Sequence, residues 1–150
     1  MTVSSEQHLP FATTLEVRDK CLCLHLQRAA RAVARRFDAA LRPFNLTNGQ
    51  FSLLMSLNRE DPPSIGSVSA LLAMDRTTLT ANLKPLERRG LVKVSIDDGD
   101  KRSRRLKLTP AGRALLVAAV PIWKQTRAIV EKLLPRADAE DLRADLRVLS

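Results

Sequence analysis

Seventeen residues, Met74 to Gly90, constrain this chain more than any other stretch: MDRTTLTANLKPLERRG. On a helix at 100° per residue, Leu83 and Leu86 fall within about 40° of Leu79. Those three leucines predict a buried face. The opposite side carries Thr77, Ala81, Lys84 and Arg88, with Thr80 at its edge. Asp75 is a good N-cap, Gly90 suits the C-cap position, and the helix is expected over Arg76–Arg89. Pro85 lacks the N–H that would bond to the carbonyl of Ala81, but that carbonyl lies outward, where water can serve it. Proline in a helix interior costs ~3 kcal/mol, so the leucine face must pack well enough to offset it.

The rest of the chain reads as helices around a short hairpin. Residues 1–13 are expected to be a loose tail. From Thr14 to Arg42 apolar residues recur at three, four or seven (Leu15, Leu22, Leu26, Ala29, Val33, Phe37, Leu41), which predicts one long amphipathic helix stopped by Pro43. Thr47 and Gln50 form a capping box, with Leu46 and Phe51 as its hydrophobic staple, for a helix from about Asn48 to Asn58. Pro62-Pro63 breaks the chain, and Ser64 caps a short helix turning Ile65, Val68, Leu71 and Leu72 inward. After Gly90, Leu91–Ile96 and Arg104–Thr109 alternate as strands about the turn residues Asp97-Asp98-Gly99-Asp100. Thr109-Pro110 starts a helix to about Leu134, bent at Pro121 and ended by Pro135. Asp138 caps a last helix with Leu142, Leu146 and Leu149 on one face.

Charge narrows the partner. The 150 residues carry a net +9, and residues 75–113 hold eleven Lys/Arg against five Asp/Glu. So basic a chain usually meets nucleic acid, a membrane surface or an acidic protein. A short helix, a tight turn and a second helix with threonines forward and long cations behind make a helix-turn-helix. Threonine hydroxyls can reach base edges or phosphates and threonine methyls a thymine methyl; Ala81 permits close approach, and Lys84 and Arg88 suit phosphates. Asn82 can pair with adenine but sits off the groove face. Lys101, Arg102, Arg104 and Arg105 flank the hairpin tip. Two adjacent basic elements favour duplex DNA over the competing reading, an amphipathic surface helix with a solvated basic face.

The stretch LLAMDRTTLTANLKPLERRGLV, the tip DDGDKRSRR and the following LKLTPAG resemble the MarR family of winged-helix transcriptional regulators. The likeness covers roughly residues 15–149. It implies a mainly α fold with a small β-hairpin wing: a winged helix-turn-helix lobe at 47–109, and dimerisation helices at 14–42 and 110–149. It also implies a homodimer gripping one palindromic site, with repression as the default. The expected recognition-helix residues are Arg76, Thr77, Thr78, Thr80, Ala81, Lys84 and Arg88. Those on the wing are Asp100, Lys101, Arg102 and Arg104. Arg102 is expected to enter the minor groove with Asp100 orienting it, and an arginine held by a carboxylate suits a narrow, electronegative groove. The family often has an arginine at the end of the first wing strand, where this chain has Val94, which puts one backbone contact in doubt.

Leu142, Leu146 and Leu149 at one end, and Leu15 and Leu22 near the other, give independent support for a twofold partner; packing on each other within one subunit is the alternative. The resemblance further implies an effector site between the dimer helices and the DNA-binding lobe, often for small aromatic acids. Candidates are Cys21 or Cys23, His25, Phe51, Met55 and Trp123, with Arg28 or Arg31 as a cation; each also has a plain structural reading. The two cysteines stand two apart on the expected helix, so they cannot bridge without breaking it. They are read as small buried hydrophobes, with oxidant sensing as the alternative.

Catalysis is not expected. Two histidines, no metal-ligand spacing and five glycines give no metal centre and no phosphate loop. Aromatic residues are 3% and tyrosine is absent, against single-strand binding by base stacking. No cofactor is expected. No run approaches the ~20 apolar residues of a membrane span, the N-terminus lacks a basic-then-apolar pattern, and a cytoplasmic location is expected. The rival function is a winged-helix module whose basic face meets an acidic protein.

Overall fold

The computed structural model describes residues 8–136 and 138–150. The chain divides into two compact units, Met1–Ala34 and Arg35–Ser150.

In the first unit, α1 spans Phe11–Lys20 and α2 begins at Leu22; α2 ends at Leu41, in the second unit. The single helix expected from Thr14 to Arg42 is therefore two. The break is Cys21, whose backbone is extended (φ −70°, ψ 105°). No proline or glycine causes it. Cys21 itself caps α2: its Sγ accepts from the Leu24 N–H at 3.5 Å and its carbonyl from the His25 N–H at 3.2 Å. The His25 ring Nδ1 lies 2.7 Å from the same carbonyl and donates to it. A thiol thus does what serine does at other helix starts. The expectation of a loose tail fails at residues 11–13, which are helical; for residues 1–7 it lies outside the described residues.

The second unit holds the rest of α2 and a 3₁₀ turn, Arg42–Phe44. Then come α3 (Asn48–Ser56), α4 (Ile65–Leu72), α5 (Arg76–Arg88), β1 (Val92–Ile96), β2 (Arg104–Leu108), α6 (Pro110–Glu131) and α7 (Ala139–Leu149). β1 and β2 pair antiparallel, with Val92 opposite Leu108 and Ile96 opposite Arg104. Helix starts follow their side-chain caps. Thr47 and Gln50 form the full capping box, and Ser64, Asp75, Thr109 and Asp138 each accept a hydrogen bond from the first turn they cap. Two helices stop short of expectation. α3 ends at Ser56 rather than Asn58, and α6 ends at Glu131, before Pro135. Each interior proline strips a partner from the carbonyl four residues back. Those carbonyls belong to Ala81 and Val117, both exposed, where water can reach them.

The core gathers between α3, α4, α5 and the hairpin. Leu53, Leu54, Leu79, Leu86 and Leu106 are fully buried, with Leu83 and Val68 nearly so. Leu71, expected inward, is 68% exposed; periodicity alone cannot tell a core contact from the wall of an open cavity.

The end of α5 is a complete Schellman motif. Gly90 takes φ 70°, its N–H bonds to the Glu87 carbonyl, and the Leu91 N–H reaches back to Leu86. α4 ends in the same pattern, with Ala73 at φ 50° where glycine would be unstrained. A non-glycine residue there costs about 1 kcal/mol or more, against roughly 0.5–1 kcal/mol of chain entropy that glycine adds to the unfolded state. Ala73→Gly is therefore expected to leave stability level or raise it slightly; a urea midpoint that falls clearly would show that the strain is absent.

Candidate nucleic-acid interface

α5 is held by its leucines and presents its other side to solvent. Arg76, Thr77, Ala81, Lys84 and Arg88 are exposed and Thr80 is half-buried. Arg76, Thr77, Thr80, Ala81 and Lys84 line one shallow depression of about 410 Å³. Thr78 is exposed, but its hydroxyl donates to Asp75 Oδ2 at 3.1 Å and its amide to Oδ1 at 2.7 Å, so its proton is spent within the cap. Those bonds, the amide first, hold the Asp75 carboxyl below the ordinary aspartate value. A depressed folded value means that the cap's stabilisation is present above the unfolded pKa and is lost only as pH falls through the lower folded one. Asn82 is engaged inside the lobe: its Nδ2 donates to the Thr78 carbonyl at 3.0 Å, and it lies against Gly49, where an added Cβ would stand 3.3 Å from Asn82 Oδ1.

The wing tip is stiffened by its own aspartates. Asp97 Oδ1 accepts from the Gly99 N–H at 3.0 Å, and Asp100 Oδ1 accepts from the backbone N–H of Arg102 at 3.0 Å. Asp100 thus orders the backbone at Arg102, whereas it was expected to hold the guanidinium. Arg104 turns back on the tip, its Nη1 within 3.3 and 3.4 Å of the Lys101 and Ser103 carbonyls. Lys101 and Arg102 are exposed, and neither makes an ion pair among the described residues. Arg105, read as one more tip cation, is instead half-buried and pairs with Asp97 at 2.9 Å. Nothing in the local run RSRR marks which arginine turns in.

A second feature lies on α3, α4 and α6. A cavity of about 570 Å³ is lined by Phe51, Met55, Leu71, Val120, Trp123 and Lys124 among others. It brings together three of the expected effector residues. Phe51 and Trp123 stack at 6.2 Å, and the Arg127 guanidinium sits 5.3 Å from the indole centre. The lining residues all come from the Arg35–Ser150 unit; Cys21 and His25 belong to the other. Cys23 is exposed and Cys21 half-buried, so neither is the fully buried hydrophobe expected. Among the described residues no cluster of His, Cys, Asp or Glu is arranged to hold a metal, and no helix is long and apolar enough to cross a membrane.

Residues 46–103, from just before α3 to the wing tip, match the MarR family. TtmR, a transcriptional regulator of Methylorubrum extorquens, is 35% identical over 97 residues, covering 65% of this chain. The match spans half of TtmR's own length. The DNA-bound structure of the Mycobacterium tuberculosis regulator MosR superposes with a TM-score of 0.78 at 38% identity, covering 87% of this chain and 93% of that one. BpsR of Bordetella bronchiseptica, whose DNA binding is regulated by 6-hydroxynicotinic acid, superposes with a TM-score of 0.71 at 27% identity, covering 85% and 89%. Helix order, recognition helix, wing and these likenesses agree: the chain belongs to the MarR family of transcriptional regulators, DNA-binding proteins with a winged helix-turn-helix.

Proposed function

We propose that this regulator works as a homodimer on a palindromic duplex site, with α5 of each copy in the major groove and each wing in the adjoining minor groove. The observation that carries this is the division of α5. Leu79, Leu83 and Leu86 are buried, while Thr77, Ala81, Lys84 and Arg88 face solvent with no competing ion pair among the described residues. A dimer seated on a promoter would block polymerase, so repression is the expected outcome, in the cytoplasm with its DNA. The dimer itself is supported by apolar side chains left in solvent at the chain's C-terminal end: Ile129, Leu133, Leu146 and Leu149 are each more than a third exposed. A second copy would cover them.

The test is binding to upstream genomic duplex and to scrambled duplex at two salt concentrations. The DNA reading expects a preference for the genomic fragment and a steep salt slope. Equal binding to both would favour the rival, a basic module for an acidic protein. Arg102→Ala is expected to weaken binding and lower the salt slope by about one. Thr77→Ala should change which sequences are preferred; a uniform loss over all sequences would make Thr77 a phosphate contact.

The cavity beside Trp123 supports a ligand-released regulator. Its walls are mostly apolar, with Lys124 at hand for a carboxylate, which suits a small aromatic acid. Trp123 is the chain's single tryptophan, so its fluorescence reports on the site alone. Titration with 6-hydroxynicotinate or benzoate is expected to quench it and to release DNA in parallel; an unchanged spectrum at millimolar ligand would exclude these acids as effectors.

A further inference from the structure

One side chain, that of Arg105, links the base of the wing tip to the segment leading into α4. Arg105 Nε and Nη2 lie 3.0 and 2.9 Å from Asp97 Oδ2, at the base of the tip. Its Nη1 donates to the Pro62 carbonyl at 3.2 Å, in the segment leading into α4. The same segment pairs with β2 through its backbone: the Leu106 N–H bonds to the Pro63 carbonyl at 3.0 Å, and Ser64 bridges Arg105 antiparallel. Pro62–Ser64 therefore meets the free edge of β2 through a single antiparallel bridge. Asp97 joins tip and body, since its Oδ1 holds the Gly99 amide while its Oδ2 takes the guanidinium. Its own N–H closes the tip on the Ser103 carbonyl at 3.1 Å.

We propose that Arg105 is a positioning residue for DNA binding: with Asp97 and the Pro62 carbonyl it clamps the wing at a fixed angle to the recognition helix, so that Lys101 and Arg102 meet the duplex while Arg105 does not touch it. This rests on the wing contacting DNA as set out above. Three guanidinium nitrogens are engaged at once, at the corners of a rigid planar fork. A lysine ammonium keeps the charge but cannot span a carboxylate and a carbonyl together. A phosphate contact would accept lysine; a fork-shaped clamp would not. The Gly99 amide first, and Arg105 in addition, keep the Asp97 carboxyl below the ordinary range, so the clamp stays charged through neutral pH.

The experiment uses the full chain on one genomic duplex that the wild type retains. Affinities are measured for R102A, R105K and the double variant, and exchange of the Gly99 amide is followed in the free proteins. R105K is expected to lose roughly tenfold in affinity, in the range of hydrogen bonds to charged groups, and to exchange Gly99 faster. In the R102A background the same substitution should cost less than about twofold, because both act through one wing. D97N, which keeps an acceptor for Gly99 and removes the charge facing Arg105, should reproduce the affinity loss, and it replaces R105K should that variant not fold. Wild-type affinity in R105K, or a loss fully additive with R102A, would overturn the proposal by making Arg105 a direct contact or an idle one. If the wild type retains no duplex, it is the DNA-binding reading that falls, and unchanged Gly99 exchange in R105K would then dispose of the clamp separately.

Discussion

Gly112→Ala is expected to destabilise the protein by roughly 3 kcal/mol, at the upper end of overpacking. A Cβ there would stand 2.3 Å from the Leu91 carbonyl oxygen and 2.7 Å from Leu108 Cδ1. The carbonyl cannot simply retreat, because the Thr109 N–H bonds to it at 3.1 Å. Thr109 in turn donates to the Gly90 carbonyl at 2.6 Å and accepts from the Gly112 amide at 3.0 Å. One knot thus joins the end of the recognition helix, the wing and the start of α6, and glycine is what lets α6 approach so closely. A thermal midpoint lower by roughly 10 °C is expected. Gly66→Ala is the control. An added Cβ at this second residue of α4 meets only Ser64 Oγ, at 4.0 Å, and alanine is at least as good a helix former as glycine there. Equal midpoints for the two variants would show that α6 does not sit where it is described.

What could be read from the sequence was what is written locally. The helix starts at Thr47, Ser64, Asp75, Thr109 and Asp138 depend on a side chain and a backbone amide two or three residues on, and each is capped as the spacing predicts. The leucine face of α5 was equally legible, because three buried residues share one periodicity. The features that escaped depend on distant partners or unusual chemistry. Cys21 interrupts a helix with a thiol cap, in a stretch with no breaker. Arg105 turns inward because of Asp97, eight residues back, and Pro62, 43 residues back. Pro62-Pro63 read as a simple break, yet the Pro63 carbonyl accepts from β2. Proline lacks a donor but keeps its acceptor, so it can still border a sheet.

Reversing charge on the exposed side of α5 gives the largest expected effect on function. Lys84→Glu combined with Arg88→Glu places two carboxylates where phosphates are expected. Affinity for duplex should fall by roughly a hundredfold or more at physiological salt, with a shallower salt slope. Stability should barely change, since both residues are exposed and the buried leucines lie on the other side. Only the reversal at Arg88, in the last turn, opposes the helix dipole, by about 0.3–1 kcal/mol. Retained affinity in this folded variant would remove α5 from the interface.

The threonine-and-cation side of α5 is proposed to enter the major groove of duplex DNA, once per copy of the chain. Methylation interference on a retained genomic fragment tests it most directly, because guanine N7 lies in the major groove and adenine N3 in the minor. Interference at guanine N7 is expected in two patches about one helical turn (~10 bp) apart, with adenine N3 interference beside each where the wing enters. Undiminished binding to N7-methylated duplex, or interference confined to adenine N3, would contradict the account.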